Sequence, residues 1–427
     1  MTMITNRSKI IYSFLILISV VSLICTNLNF PAFAADDGKP QTEAVSALLF
    51  DARRGQVILS KSSDEISHSS LASRIMTVLI TIERADIEAM VTASKDAVNT
   101  KGATLNLTVG EKYAVKNLLY ALLLTGSPDA AIAIAEYVGG SEEGFVKLMN
   151  VYAANLSLKS TVFTNCTGEY DEEQITTAND IAVLMKYALS NSDFNRFFGT
   201  QAKPWYDKSK TLLLANTNSM FWSYMGTDGG MTASFDKEIQ SIVTTATKNN
   251  MRLVCVLLDV PTKNMYSDSI SYLDYGFNNY LYGTLVSAGV SQRAVSVEGQ
   301  SLNLISNTDV YYVYPKGQYF IKAIEINIDE SKLKPPITKN TIIGIMTYTL
   351  MDDTVINVEL YPDREILPQK TTKQLMAERL KANKELIYVI IMLTIIEISM
   401  LMSKCYKFIK KKAIMANAQK KTKGKFH

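Results

Sequence analysis

The chain has 427 residues, 47% of them hydrophobic, with 44 basic against 41 acidic residues. Its only two histidines, His68 and His427, and the lack of any His/Cys ligand cluster argue against a histidine-based zinc site or a Ser-His-Asp triad, and no cofactor is implied. Two basic residues fall in the first 34 residues and nine in residues 404–427. Neither stretch has an acid, so the body carries 33 basic against 41 acidic residues and presents no basic nucleic-acid-binding face.

In chain order, residues 1–34 read as a signal peptide. Arg7 and Lys9 precede an apolar run from Ile10 to Cys25, and Ala32-Phe33-Ala34 fits the small-x-small cleavage rule. An uncleaved anchor is the competing reading. Residues 35–44 form a linker, and residues 45–279 mix strands and helices. Ser46–Asp51 and Gln56–Ser60 are two strands around the turn Ala52-Arg53-Arg54-Gly55. Tyr113–Leu124, Ala130–Val138, Glu142–Leu156 and Thr177–Leu189 have apolar residues three and four apart, which predicts helices. Ile239–Thr247 and Arg252–Val260 are β-branched runs around Lys248-Asn249-Asn250, an antiparallel hairpin. Helices clustered between early and late strands predict an α+β domain with an antiparallel sheet.

Residues 290–366 change character. Ala294–Val297, Leu302–Ile305, Val310–Tyr314, Ala323–Ile328, Ile342–Leu350 and Thr354–Tyr361 are short strands divided by turn residues, a small all-β domain. Residues 367–385 form a stem helix and residues 386–403 a transmembrane helix. The lysines of residues 404–427 place that tail in the cytoplasm, against membrane lipid, and the body outside it. Glu397 within the span is the one membrane carboxylate worth a mutant. Cys166 and Cys255 in the body leave pairing open. Trp205 and Trp222 read as core or cleft-wall residues, and Tyr311, Tyr312 and Tyr314 as sheet packing or a partner surface.

Several phrases together resemble one family. They are Ala47-Leu48-Leu49-Phe50-Asp51-Ala52, Ile75-Met76-Thr77, Val109-Gly110-Glu111-Lys112-Tyr113, Asn117–Leu124 with Asp129-Ala130-Ala131, Leu148-Met149-Asn150, Asn216-Thr217-Asn218 and Asp228-Gly229. The chain resembles the D-alanyl-D-alanine carboxypeptidases, the low-molecular-mass penicillin-binding proteins that trim peptidoglycan stem peptides. The resemblance runs over about residues 45–275 and implies the penicillin-binding-protein/β-lactamase-like transpeptidase fold. A small all-β domain and a C-terminal membrane anchor match the family's usual layout.

The resemblance also implies three motifs: Ser-x-x-Lys on a helix, Ser-x-Asn on a loop and Lys-Thr-Gly on an edge strand. In each, the reactive groups are replaced. Leu71 stands at the nucleophile and Arg74 at the base, and arginine does not deprotonate in proteins. Gly126 and Pro128 stand at the Ser-x-Asn positions, followed by a kept Asp129. The third motif becomes Met231-Thr232-Ala233. Ser70, Ser73 and Ser127, with Thr232, are the candidate replacements, and each also reads as an ordinary turn or cap residue.

The resemblance thus implies a membrane-anchored, extracytoplasmic homologue without normal carboxypeptidase activity. Its cleft would hold a peptidoglycan stem peptide or an envelope protein. The alternative is an active serine carboxypeptidase with a rearranged site.

Overall fold

A computed structural model describes residues 38–206, 211–370, 372–382 and 384–423. The signal-peptide expectation for residues 1–34 lies outside them, as does His427.

The chain divides into two units. Among the described residues, the first holds residues 38–206, 211–285, 310–322 and 350–354. At its centre are strands β1 (Ser46–Asp51), β2 (Val57–Lys61), β3 (Thr227–Ser234), β4 (Ile239–Lys248) and β5 (Met251–Pro261), in the spatial order β2-β1-β5-β4-β3. All neighbours run antiparallel. β3 is therefore an edge strand.

Helices cover both faces, so β1 and β5 read as continuous apolar runs rather than alternating ones. The two-residue period still sorts their side chains. Leu48, Phe50, Val254, Val256 and Leu258 pack into the larger core cluster. Ala47, Leu49, Leu253, Cys255 and Leu257 pack into a second cluster on the other face. Burying each large side chain stabilises the fold by about 1.5–3 kcal/mol.

The larger cluster also takes in α1 (Leu71–Arg84), α2 (Val115–Thr125), α3 (Pro128–Gly139), α4 (Glu142–Asn155) and α5 (Ala178–Leu189). α1 is its central helix. Every residue from Leu71 to Thr81 except Arg74 is buried, the pattern of a helix surrounded by protein rather than half-exposed to water. α6 (Met265–Asn279) covers the opposite face through Met265, Tyr272 and Leu273. Its buried residues Met265, Ser269, Tyr272, Leu273 and Gly276 recur at helical spacing, although few of them are aliphatic, and the sequence analysis assigned no element there.

Cys166 and Cys255 are both buried free thiols. They belong to different core clusters, one on each face of the sheet, which leaves no bridge between them. Trp205 is buried, whereas Trp222 is more than half exposed.

The strand Val310–Pro315 pairs with Tyr280–Val286 instead of joining the later β-sheet. The Gln56 side-chain amide donates to the Val313 carbonyl at 2.8 Å and accepts from its N–H at 3.3 Å. These bonds and the burial of Val313 beside Tyr280 and Tyr282 group residues 310–322 with the first unit.

The second unit holds all but Ile321, Lys322 and Leu350 of a five-stranded sheet in the order Ser291–Val297, Gln300–Ile305, Val355–Pro362, Gly344–Leu350, Ile321–Ile328. Met346, Tyr348, Ile356, Val358 and Leu360 alternate inward, the one-sided burial usual for antiparallel strands. A helix over Thr372–Ala382 follows, then one over Lys384–Lys423. Within the latter, Ile387–Asn417 is long and apolar enough to cross a membrane. The helix has 40 residues, about 60 Å at 1.5 Å per residue, twice the roughly 30 Å hydrocarbon core. It therefore continues past the expected end at residue 403. Lysine and alanine in the tail are good helix formers.

Candidate active site

Residues placed far apart in sequence meet in a cleft of about 520 Å³. It opens where the first turn of α1, the turn between α2 and α3, and the edge strand β3 converge. Its lining includes Arg74, Gly126, Pro128 and Thr232. Those are the positions at which the three motifs were expected.

Local chemistry sets up each wall. The Ser69 hydroxyl accepts the Leu71 N–H at 3.3 Å in the turn before α1, whose N-cap Ser70 makes no side-chain cap bond. Leu71 is fully buried and Arg74, three residues on, turns toward the cleft. α2 ends at Gly126, whose φ of +70° is the left-handed cap that glycine adopts without strain. The Thr217 N–H donates to the Leu124 carbonyl at 3.0 Å, and the Asn216 amide donates to the Gly230 carbonyl at 2.9 Å. The segment around Thr217 thus ties α2 to β3. The Thr232 N–H donates to the Thr217 hydroxyl at 3.4 Å.

Arg74 occupies the centre. Its Nη1 donates to the Thr232 carbonyl at 3.1 Å. A Cβ placed on Gly126 would lie 2.5 Å from the same Nη1 and 2.6 Å from Cζ. No side chain fits there while the guanidinium stays. The small residue at 126 and the large one at 74 are therefore two halves of one packing arrangement.

Arg74 is poorly compensated. Nε is buried without a hydrogen-bond partner, and among the described residues no carboxylate forms an ion pair with Arg74. Burial lowers the guanidinium pKa to about 10, so it remains a cation at neutral pH. Leaving a buried donor unsatisfied costs about 1–3 kcal/mol.

The candidate serines are differently placed. Ser70 Oγ is buried without a partner, and the turn at Gly168 lies directly over it: a Cβ on Gly168 would meet the Ser70 Cβ at 2.4 Å. Ser73 is fully buried and its Oγ is also unpartnered. Ser127 Oγ pairs with Thr125 Oγ1 at 2.7 Å. Among the described residues, no lysine or histidine nitrogen hydrogen-bonds any of the three. Met231 and Ala233 point into the larger core cluster, and Thr232 lines the cleft between them. Asp129, fully buried behind Pro128, accepts the Leu107 and Ala130 N–H groups at 3.3 and 3.0 Å. Burial pushes its carboxyl above the ordinary value despite those donors. No group of three or more His, Cys, Asp or Glu side chains suited to a metal occurs among the described residues.

Two charged wall residues, Lys101 and Glu169, lie outside every motif and matching phrase of the sequence. On the rim Tyr170 packs edge-on to Phe235 with ring centroids 5.0 Å apart. Only the fold brings these loops together. The Asn165 side chain accepts the Gly168 N–H at 2.8 Å and so holds the turn of that wall.

The family model for D-alanyl-D-alanine carboxypeptidase matches residues 34–262, more than half of the chain. The chain belongs to this family. A second model, for the penicillin-binding protein 5 C-terminal domain, matches residues 283–367. Among curated carboxypeptidases, DacF of Bacillus subtilis is 33% identical over 260 residues, covering 58% of this chain and 67% of the relative. DacC of Escherichia coli is 27% identical over 337 residues, covering 75% and 84%. The crystal structure of penicillin-binding protein 5 from Haemophilus influenzae aligns with a TM-score of 0.64 at 23% identity, over 77% of this chain and 99% of that one. The carboxypeptidase-like α+β domain and the all-β region thus follow the family's architecture, and the C-terminal apolar helix is a candidate membrane span beyond the matched residues.

Proposed function

We propose that this carboxypeptidase homologue does not form an acyl-enzyme and serves as a membrane-anchored, extracytoplasmic binding protein of peptidoglycan metabolism. The observation that carries the reading is Arg74. Its guanidinium fills the space over Gly126 and is bonded to the Thr232 carbonyl, in the middle of the cleft where the family's chemistry would take place. Leu71, at the nucleophile position, offers no nucleophilic atom and is sealed in the core. Losing one member of a catalytic unit usually lowers the rate by orders of magnitude, and losing all of them leaves only binding. Met231 adds to this, since an apolar side chain stands where the motif supplies a cation.

The ligand class follows from the family: a stem peptide of peptidoglycan, or an envelope protein segment that enters the same cleft. The helix over Lys384–Lys423 anchors the chain, and the lysines from Lys404 onward favour a cytoplasmic tail held near anionic lipid. Two measurements test the reading. Full-length protein in detergent should release no D-alanine from a D-alanyl-D-alanine peptide while an active family member does. It should also be retained by purified sacculi. Release of D-alanine above the Arg74→Ala variant would instead favour the rearranged serine enzyme.

A further inference from the structure

The C-terminal helix carries one group that its own chain leaves unmatched. Between Glu385 and Lys404, Glu397 is the single charged residue. It lies about 4 Å along the axis from the midpoint of that stretch, at 1.5 Å per residue. Hydrocarbon offers a carboxyl no hydrogen-bond partner. The helix offers none either. Among the described residues no hydrogen bond or ion pair reaches Glu397. Thr394, one turn before it, already donates its hydroxyl to the Ile391 carbonyl at 2.8 Å. Lys404 is seven residues on, about 10 Å along the axis. The partner therefore comes from another helix.

We propose that the span pairs in parallel with a second copy of itself, Glu397 against Glu397. A carboxyl that carries a proton both donates and accepts, so it is complementary to its own kind. A two-fold axis along the membrane normal brings the same residue of the second copy to the same depth without any further group. A carboxylate matched by a basic foreign helix would instead bring two charges into hydrocarbon, which is the costlier arrangement. Ile390, Leu393 and Leu401 stand seven and four residues before Glu397 and four after it, on its face of the helix. All three are exposed in the single chain and supply the apolar packing on either side of the carboxyl. One polar residue in an apolar seam fixes register and partner number at some cost in stability. The inference rests on Ile387–Asn417 crossing a membrane and not on what the cleft binds. Two bodies anchored together would hold a polymeric ligand longer than one.

Energy transfer tests this in phosphatidylcholine vesicles that hold only the full-length protein, labelled with donor or acceptor on the exposed Cys405 thiol. Transfer should rise with the protein-to-lipid ratio and fall on dilution with unlabelled protein. Glu397→Leu should raise the ratio for half-maximal transfer about 10-fold. Glu397→Gln, whose amide also donates and accepts, should stay within about 3-fold of the parent. In a Cys405→Ser background, disulfide cross-linking should trap dimers through Leu393→Cys and Leu401→Cys several-fold more than through Ser399→Cys, on the opposite face. Absence of transfer, pairing of Glu397→Leu like the parent, or equal cross-linking on both faces would overturn the proposal. So would transfer that appears only on adding a synthetic apolar helix with one lysine, which would make the partner a basic span. Protein that washes off the vesicles at high pH would overturn the span itself.

Discussion

The central sheet and the cleft at its edge treat polar atoms differently. In β1 and β5, apolar side chains fill both faces, and Ser46 Oγ is the one buried side-chain atom in those strands without a partner. Around the cleft, Ser70 Oγ, Ser73 Oγ, Arg74 Nε and Asn218 Nδ2 all lack partners. A family-like core has been kept beside a site whose polar groups are unresolved. Local inconsistency of that kind concentrates where a chain serves function rather than stability. Residues that look like one motif in sequence therefore divide physically: Leu71 belongs to the core and Arg74 to the cleft.

The largest effect should come from Leu71. As a fully buried core residue, Leu71→Ala should lower unfolding free energy by about 2–5 kcal/mol in denaturant titration. A loss below about 1 kcal/mol would place Leu71 on the cleft side after all. Gly126→Ala combines a left-handed backbone with a methyl at 2.5 Å from Arg74 Nη1, and should lose about 2–4 kcal/mol. In an Arg74→Ala background only the backbone part, about 1–2 kcal/mol, should remain. Additivity of the two substitutions would contradict the shared packing. Arg74→Met should leave stability unchanged or raise it by about 1 kcal/mol, because it removes a half-buried cation with one hydrogen bond and no ion-pair partner among the described residues. Marked destabilisation would mean that the guanidinium has compensation the hydrogen bonds do not reveal.

Asp129 sharpens the contrast through pH. Burial holds its carboxyl above the ordinary 3.8, so the folded chain binds this proton more tightly than the unfolded one. Its contribution is complete below 3.8 and is lost as pH rises through the raised value. Stability of Asp129→Asn relative to the parent should therefore improve as pH climbs above 3.8. A difference that is flat with pH would show an unperturbed carboxyl. The smallest effect belongs to the exposed Lys322–Asp353 pair, where Asp353→Asn should change stability by less than about 1 kcal/mol.

The elements legible in sequence were those with a strong period. β1 was expected with its observed bounds, and α4, α5, β4 and β5 lie within a residue or two of expectation. β3 was not legible as a strand, because Gly229 and Gly230 interrupt it; only the motif resemblance placed it at an edge. The cleft was half legible. Motif spacing named Leu71, Arg74, Gly126 and Thr232. It did not reveal that Arg74 reaches across to Gly126 and Thr232, because that depends on the path of a long side chain through a space defined by three elements. The walls at Lys101 and Glu169 were not legible for the same reason.

The most direct test of the central claim is covalent labelling of the full-length protein by a fluorescent penicillin, with an active family member labelled alongside. The arrangement of Leu71, Arg74 and Gly126 predicts no label that survives denaturation. A stable adduct mapped to Ser70, Ser73 or Ser127 would contradict it and return the chain to the working enzymes of its family.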